Sequence, residues 1–256
     1  MKIATWNVNS LRVRLPHLLD WLAIHSPDAV CLQETKCDEA TYPMHELLAA
    51  GYHSLHHGQK AYNGVAILSR NPAIEVCRGI PRFADEQSRV IAADLDAVRL
   101  VSVYVPNGQS VGCDKYAYKL RWLEALAAWL EGELAAHPRI AVMGDFNVAP
   151  EDRDVHDPAA WAGQVLCSDA ERAGLRRLVE LGFVDSFRLF EQPERSFTWW
   201  DYRMNAFRRK KGLRIDHVLL SPEAAKLCRS CVVDIEPRRL ERPSDHAPVV
   251  CEIAWP

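Results

Sequence analysis

No stretch of about 18 unbroken apolar residues occurs in this chain, so none of it reads as a membrane-spanning helix. The first residues, Met1-Lys2-Ile3-Ala4-Thr5-Trp6-Asn7, lack the apolar stretch and small-residue cleavage site of a secretory signal, and run straight into a strand pattern. A cytoplasmic location is the expectation. Walker A, His-Glu-x-x-His, Gly-x-Ser-x-Gly and Gly-x-Gly-x-x-Gly motifs are also missing, which sets aside P-loop, zincin, α/β-hydrolase and dinucleotide chemistry. With no Pro- or Gly-rich linker, tandem repeat or low-complexity tract, one domain is expected over residues 1–256. A net charge of -3 argues against a strongly basic whole-protein binder. The 8 cysteines are scattered, as buried thiols in a reducing compartment would be, and not spaced as a disulfide framework. Only Cys228-Arg229-Ser230-Cys231 has the spacing of half a zinc site, and without a second pair these two read as packing residues. His45-Glu46 and His56-His57 lack partners at ligand spacing and are expected at the surface.

What is present is the composition of a globular protein, 48% hydrophobic and 25% charged, in a chain long enough to bury a large core. Apolar runs bounded by polar turns predict strands at 2–6, 29–33, 64–69, 89–95, 98–105, 139–145, 214–220, 231–235 and 248–254. Helical patterns lie at 12–25, 41–50, 115–136 and 169–182. The clearest repeats Leu123, Leu126, Leu130 and Leu134 behind Asp114 as a cap, and Pro138 blocks its continuation. Several continuous apolar strands among helices predict an α/β layered sandwich.

Four polar islands fall at or beside these strands: Trp6-Asn7, Leu32-Gln33-Glu34-Thr35-Lys36, Gly144-Asp145-Phe146-Asn147 and Ser244-Asp245-His246. A sheet that gathered them at one rim would set carboxylates, amides and an imidazole around a hard cation, a set suited to hydrolysis of a phosphate. Asp145 and Asn147, at i and i+2, point to one side of an extended segment, although an Asx turn closing the strand would use the same residues. Asp216 interrupts a buried strand and needs a cationic partner, for which His246, Arg214 and His217 all compete. Glu34 needs one too, either Lys36 or a metal. Tyr104 and Asn107 end another strand with a phenol and an amide. Trp199-Trp200-Asp201-Tyr202 precedes a cationic run from Arg203 to Arg214 without an acid, and aromatics beside cations suit nucleic acid. At least one of the two tryptophans could equally be core.

These islands in this order, with Thr198-Trp199-Trp200-Asp201-Tyr202-Arg203 and Gly212-Leu213-Arg214-Ile215-Asp216 between them, resemble the bacterial exonuclease III family. That family is the DNA-repair branch of the endonuclease/exonuclease/phosphatase superfamily, and the resemblance runs from Lys2 to Pro248. It implies a four-layer, DNase I-like α/β sandwich: two mixed β-sheets packed together and flanked by helices. It also implies Mg²⁺, with Mn²⁺ as a substitute, held mainly by Glu34 with Asn7 and Asp245 close by. Asp145, held by Asn147, would orient or deprotonate the attacking water. His246, paired with Asp216 and assisted by Tyr104 and Asn107, would bind the scissile phosphate. Trp199, Leu213 and Ile215 would line a pocket for an abasic sugar or 3′ terminal nucleotide, and the arm with Trp200, Arg203 and Asn205 would meet the groove. The implied substrate is double-stranded DNA with abasic sites or with damaged or recessed 3′ ends, taken by a monomer without a membrane. Leu166 departs from the pattern, because abasic-cleaving relatives tend to carry a small residue there. The expectation is that 3′-end processing exceeds abasic incision. A phosphoinositide or sphingomyelin phosphodiesterase is the competing enzyme class, and a DNA-binding module with a decayed site would need a broken island, which the chain lacks.

Overall fold

The computed structural model describes residues 1–255 and contains two six-stranded mixed sheets. In chain order the strands are β1 (Lys2–Asn7), β2 (Ala29–Gln33), β3 (His53–His57), β4 (Val65–Ser69), β5 (Ile74–Arg78), β6 (Val90–Leu95), β7 (Val98–Tyr104), β8 (Ile140–Asp145), β9 (Val184–Asp185), β10 (Asp216–Leu220), β11 (Cys228–Val233) and β12 (Val249–Ile253). The helices are α1 (Leu11–His25), α2 (Met44–Ala49), α3 (Asp114–Ala136), α4 (Pro158–Trp161), α5 (Asp169–Glu180) and α6 (Pro222–Lys226). One sheet has the order β11-β12-β1-β2-β4-β3, the other β5-β6-β7-β8-β10-β9.

Three apolar layers hold the sheets and helices together. Ile3, Cys31, Ile67, Leu100, Met143 and Val218 meet between the sheets. Trp6, Leu18, Leu22 and Leu32 join α1 to the first sheet, while Val101, Val142, Leu126, Leu130 and Leu178 join α3 and α5 to the second. Each fully buried aliphatic side chain of this kind contributes about 1.5–3 kcal/mol. This is the four-layer sandwich expected.

Period-two alternation explains where the site falls. Along β1 the residues facing the other sheet are Ile3, Thr5 and Asn7; along β8 they are Ala141, Met143 and Asp145; along β10, read backwards, Leu220, Val218 and Asp216. Each series runs from apolar in the middle to polar at one end. The register places Asp145 opposite both Tyr104 and Asp216. Gly144 permits that edge to be so close, since a Cβ there would stand 1.8 Å from the Val103 carbonyl oxygen.

Several expectations are corrected. β3 and β5 are strands the sequence pattern did not show, and both are short sheet edges in which polar and apolar residues do not alternate cleanly. The strand expected at 231–235 begins at Cys228, whose thiol meets Cys251 at 3.5 Å and not a zinc partner. His56 is buried, stacked on Tyr42 with ring centroids 4.0 Å apart and bonded to Thr35 at 3.1 Å. Asp114 is the first helical residue of α3, and its charge favours the positive helix end without a capping bond. None of the described helices is long and apolar enough to cross a membrane.

Candidate active site

Four sequence islands meet at the rim where the two sheets open. Glu34 follows β2 in a left-handed conformation, φ 52°, and its carbonyl accepts from Ser10 N at the start of α1. Its carboxylate is held by Asn7 Nδ2 at 2.8 Å and Lys36 Nζ at 2.7 Å. Asn7 Nδ2 also donates to Asp145 at 3.0 Å, so one amide ties the end of β1 to the end of β8. Asp145 accepts further from the backbone N–H of Asn147 at 2.8 Å and from its side chain at 3.2 Å. Asn147 Oδ1 in turn accepts from Asn107 at 3.1 Å.

His246 enters from the segment before β12. Its Nδ1 donates to Asp216 at 2.9 Å, and its Nε2 points toward Asp145 at 3.7 Å. Asp216 therefore pairs with His246. Arg214, the competing partner, is buried and bonded instead to Asp154 at 2.7 Å and Asp185 at 2.8 Å, so it is not part of the surface arm. Burial works against a charged His246 ring, but Asp216 and then Asp145 outweigh it and raise the pKa, leaving an imidazolium. Burial, reinforced by Asp216, raises the pKa of Asp145 against the pull of His246. Tyr104 is raised by burial and by the Glu34 and Asp145 charges, so its phenol stays a donor.

Donor atoms of Glu34, Asp145 and His246 lie within 4.8 Å of one another. Two of the three are hard carboxylate donors, and the carboxylates of Glu34, Asp145 and Asp216 outnumber the cations beside them, Lys36 and His246. That excess of negative charge and oxygen fits a divalent cation. His246, committed to Asp216, is not suited to be its ligand. Asp245, expected at the metal, has its oxygens bonded to Asn9 Nδ2 at 2.8 Å and Trp199 Nε1 at 3.0 Å and lies outside this cluster. Asn7 turns its amide N–H, not its oxygen, toward both carboxylates.

Beside the site, Leu166, Leu213 and Ile215 form one buried apolar cluster with Val155, and the half-buried Trp199 packs on it. Leu166 adopts φ 74°, a conformation that favours glycine. Trp200, expected in the arm, is 4% exposed and packed with Phe197, Ala206 and Ala247. Arg203 and Asn205 are exposed, with Arg203 paired to Asp201 at 2.7 Å. Residues that the sequence pattern did not single out also serve the site. Thr198 Oγ1 accepts from the N–H groups of Ile215 and Asp216, both at 3.0 Å, and Ser244 Oγ ties its segment to the Asn7 carbonyl at 2.7 Å. Both hydroxyls lay inside motifs already in view. Arg89, with its guanidinium 4.7 Å from the centre of the Tyr104 ring, gave no such signal.

A site of this kind, on this fold, defines a metal-assisted phosphoester hydrolase, and comparison with known proteins gives the family. Residues 4–246 match the model of the endonuclease/exonuclease/phosphatase family. The chain belongs to that family and is a phosphodiester-hydrolysing nuclease. It is 36% identical to exodeoxyribonuclease III of Haemophilus influenzae over 266 aligned positions, covering 98% of this chain and 99% of the relative. A variant of the 3′ phosphatase NExo from Neisseria, solved with a product DNA hairpin, matches at TM-score 0.98 and 45% identity over 100% of both chains. An AP endonuclease from Archaeoglobus fulgidus matches at TM-score 0.96 and 38% identity, again over 100% of both.

Proposed function

We propose that this nuclease is a Mg²⁺-dependent DNA-repair enzyme of the exonuclease III type, with Mn²⁺ as a substitute. It removes nucleotides and blocking phosphate groups from 3′ ends of duplex DNA, and it incises abasic sites more slowly. The observation that carries the reading is the convergence of Glu34 and Asp145 with a His246 whose Nδ1 is bonded to Asp216 at 2.9 Å. Glu34 and Asp145 would hold the cation, which when bound offers charge neutralisation at the phosphate. Asp145, fixed by Asn7 and Asn147, orients the attacking water and takes its proton. The His246 imidazolium, fixed by Asp216, donates to a phosphate oxygen as charge builds there, and Tyr104 and Asn107 add neutral donors. Phosphodiesters are so inert that their enzymatic hydrolysis calls for an acceleration of order 10¹⁷, about 23 kcal/mol, which several groups must share. Arg203 and Asn205 meet the DNA from the arm, and Trp199 meets it beside the Leu213 and Ile215 cluster.

Relatives named for 3′-end work and for abasic work both match this chain, so overall likeness does not separate the two activities. Leu166 favours the first. Its side chain fills the cluster of Leu213 and Ile215 under Trp199, the space an extruded abasic sugar would need.

The test is gel-resolved cleavage of two end-labelled duplexes, one with an internal abasic analogue and one with a recessed, blocked 3′ end, each with Mg²⁺ or EDTA. The expected result is Mg²⁺-dependent trimming of the 3′ end with slower abasic incision. Incision as fast as trimming would overturn the preference, and no metal-dependent cleavage of either duplex would overturn the reading.

A further inference from the structure

Lys119 lies on α3, where its side chain is fully buried, and so is that of its partner Glu171 on α5. Its ammonium donates to three acceptors: Glu171 Oε1 at 2.5 Å, the Asn147 carbonyl at 2.6 Å and the Asn107 carbonyl at 3.1 Å. Glu171 accepts in addition from Leu166 N at 2.9 Å and from Ser168 N at 3.1 Å. One buried ion pair thus joins the three loops that carry Asn107, Asn147 and Leu166. Gly108, at φ 92°, makes room for the lysine stem, since a Cβ there would stand 3.1 Å from Lys119 Cδ. Burial pushes the Lys119 pKa down, and the Glu171 carboxylate opposes that shift. If packing were the only requirement, leucine or methionine would meet it at far lower desolvation cost.

We propose that Lys119 and Glu171 are positioning residues for the phosphodiesterase site, a reading that rests on the function proposed above. Lys119 fixes the carbonyls of Asn107 and Asn147, and through them the amide chain Asn107 to Asn147 to Asp145. Glu171 fixes the backbone of Leu166, so one pair sets both the alignment of the water-orienting carboxylate and the closure of the sugar pocket. Neither residue touches substrate.

The test compares the parent, the Lys119→Met/Glu171→Gln double variant and Lys119→Arg in 3′ trimming and abasic incision, with thermal unfolding alongside. The double variant leaves no unpaired buried charge but takes the donor from the Asn107 and Asn147 carbonyls, so it is expected to fold and to unfold at a temperature below that of the parent. Its kcat for trimming is expected to fall about 100-fold with KM unchanged, as misplacement of about 1 Å would produce. Its ratio of abasic incision to trimming should rise as the Leu166 backbone loosens. Lys119→Arg, which keeps charge and donors, should recover most of the lost rate. A folded double variant with parental kcat would show a merely structural pair and overturn the proposal, as would a folded Lys119→Arg no faster than the double variant. Lack of cleavage by the parent would instead defeat the functional reading, and is read before any variant.

Discussion

Leu166 sets two costs against each other at a single residue. Held at φ 74°, it carries strain of roughly 1–2 kcal/mol that glycine would not, yet its buried side chain contributes packing that a large-to-small change forfeits, about 2–5 kcal/mol. Leu166→Gly is therefore expected to destabilise the protein by about 1–3 kcal/mol while opening the space beside Leu213 and Ile215. On matched duplexes the ratio of abasic incision to 3′ trimming should rise, and an unchanged ratio sinks the idea that Leu166 sets the preference. His246→Asn removes the imidazolium but leaves the DNA-facing arm intact. Its expected effect is a rate loss of about 10²–10⁴ with little change in DNA affinity measured by fluorescence anisotropy. Equal losses in both would move His246 from catalysis to binding. Asn7, Asp145 and Asp216 could be read from sequence because each is a polar residue at a position where strand alternation calls for an inward apolar one. Lys119 stands four residues before Leu123 on the same stripe as Leu126 and Leu130, so its position called for an apolar residue, but only the fold shows the partner that lets a charge sit there, Glu171 on α5. Trp199 and Trp200 are neighbours whose opposite fates depend on a turn that sequence alone does not orient.

At the scale of elements, the central strands were plain because both their faces are buried and apolar. The edges were not: β3 mixes His53, Ser54, His56 and His57 over both its faces around a single Leu55, and β5 is five residues long with Glu75 and Arg78 among its few apolar ones, so neither shows an apolar run or a clean alternation. β10 shows how an element positions the site from behind. His217 follows Asp216 and faces the opposite side, accepting from Arg214 at 3.0 Å and donating to the Val148 carbonyl at 2.9 Å. Burial first, and the Arg214 charge second, lower its pKa to about 4. The other charges facing it, Asp154 and Asp185, are held below the usual carboxylate range by Arg214 despite burial, and so stay ionised down to pH 5. A histidine whose folded pKa is depressed stays neutral in the fold while the unfolded chain takes up a proton, so stability falls as pH drops below about 6.5. From pH 7 to pH 5 this one group is expected to remove about 2 kcal/mol. Urea unfolding at the two pH values should show a correspondingly smaller loss in His217→Gln than in the parent. Identical pH dependence in the two proteins would mean that His217 does not titrate in the unfolded chain alone.

The whole molecule is two sheets that share a core but meet at the rim through side chains repelling one another. Glu34 comes from the sheet built around β1, Asp145 from the one built around β8, and only amide donors and two cations intervene. A divalent cation bound there would bridge the sheets and bind the folded state alone. At about 100 times its dissociation constant, such an ion stabilises by about 2.7 kcal/mol. For a chain of this size that raises the unfolding temperature by about 5–10 °C, which scanning calorimetry with Mg²⁺ against EDTA would read. Glu34→Gln removes a charged donor from one sheet while keeping its shape, so most of the Mg²⁺ shift should vanish with it. If the shift persists in Glu34→Gln, the ion sits elsewhere and the two sheets are joined by their core alone. Loss of the shift together with loss of cleavage would make this rim both the catalytic centre and the clasp between the sheets.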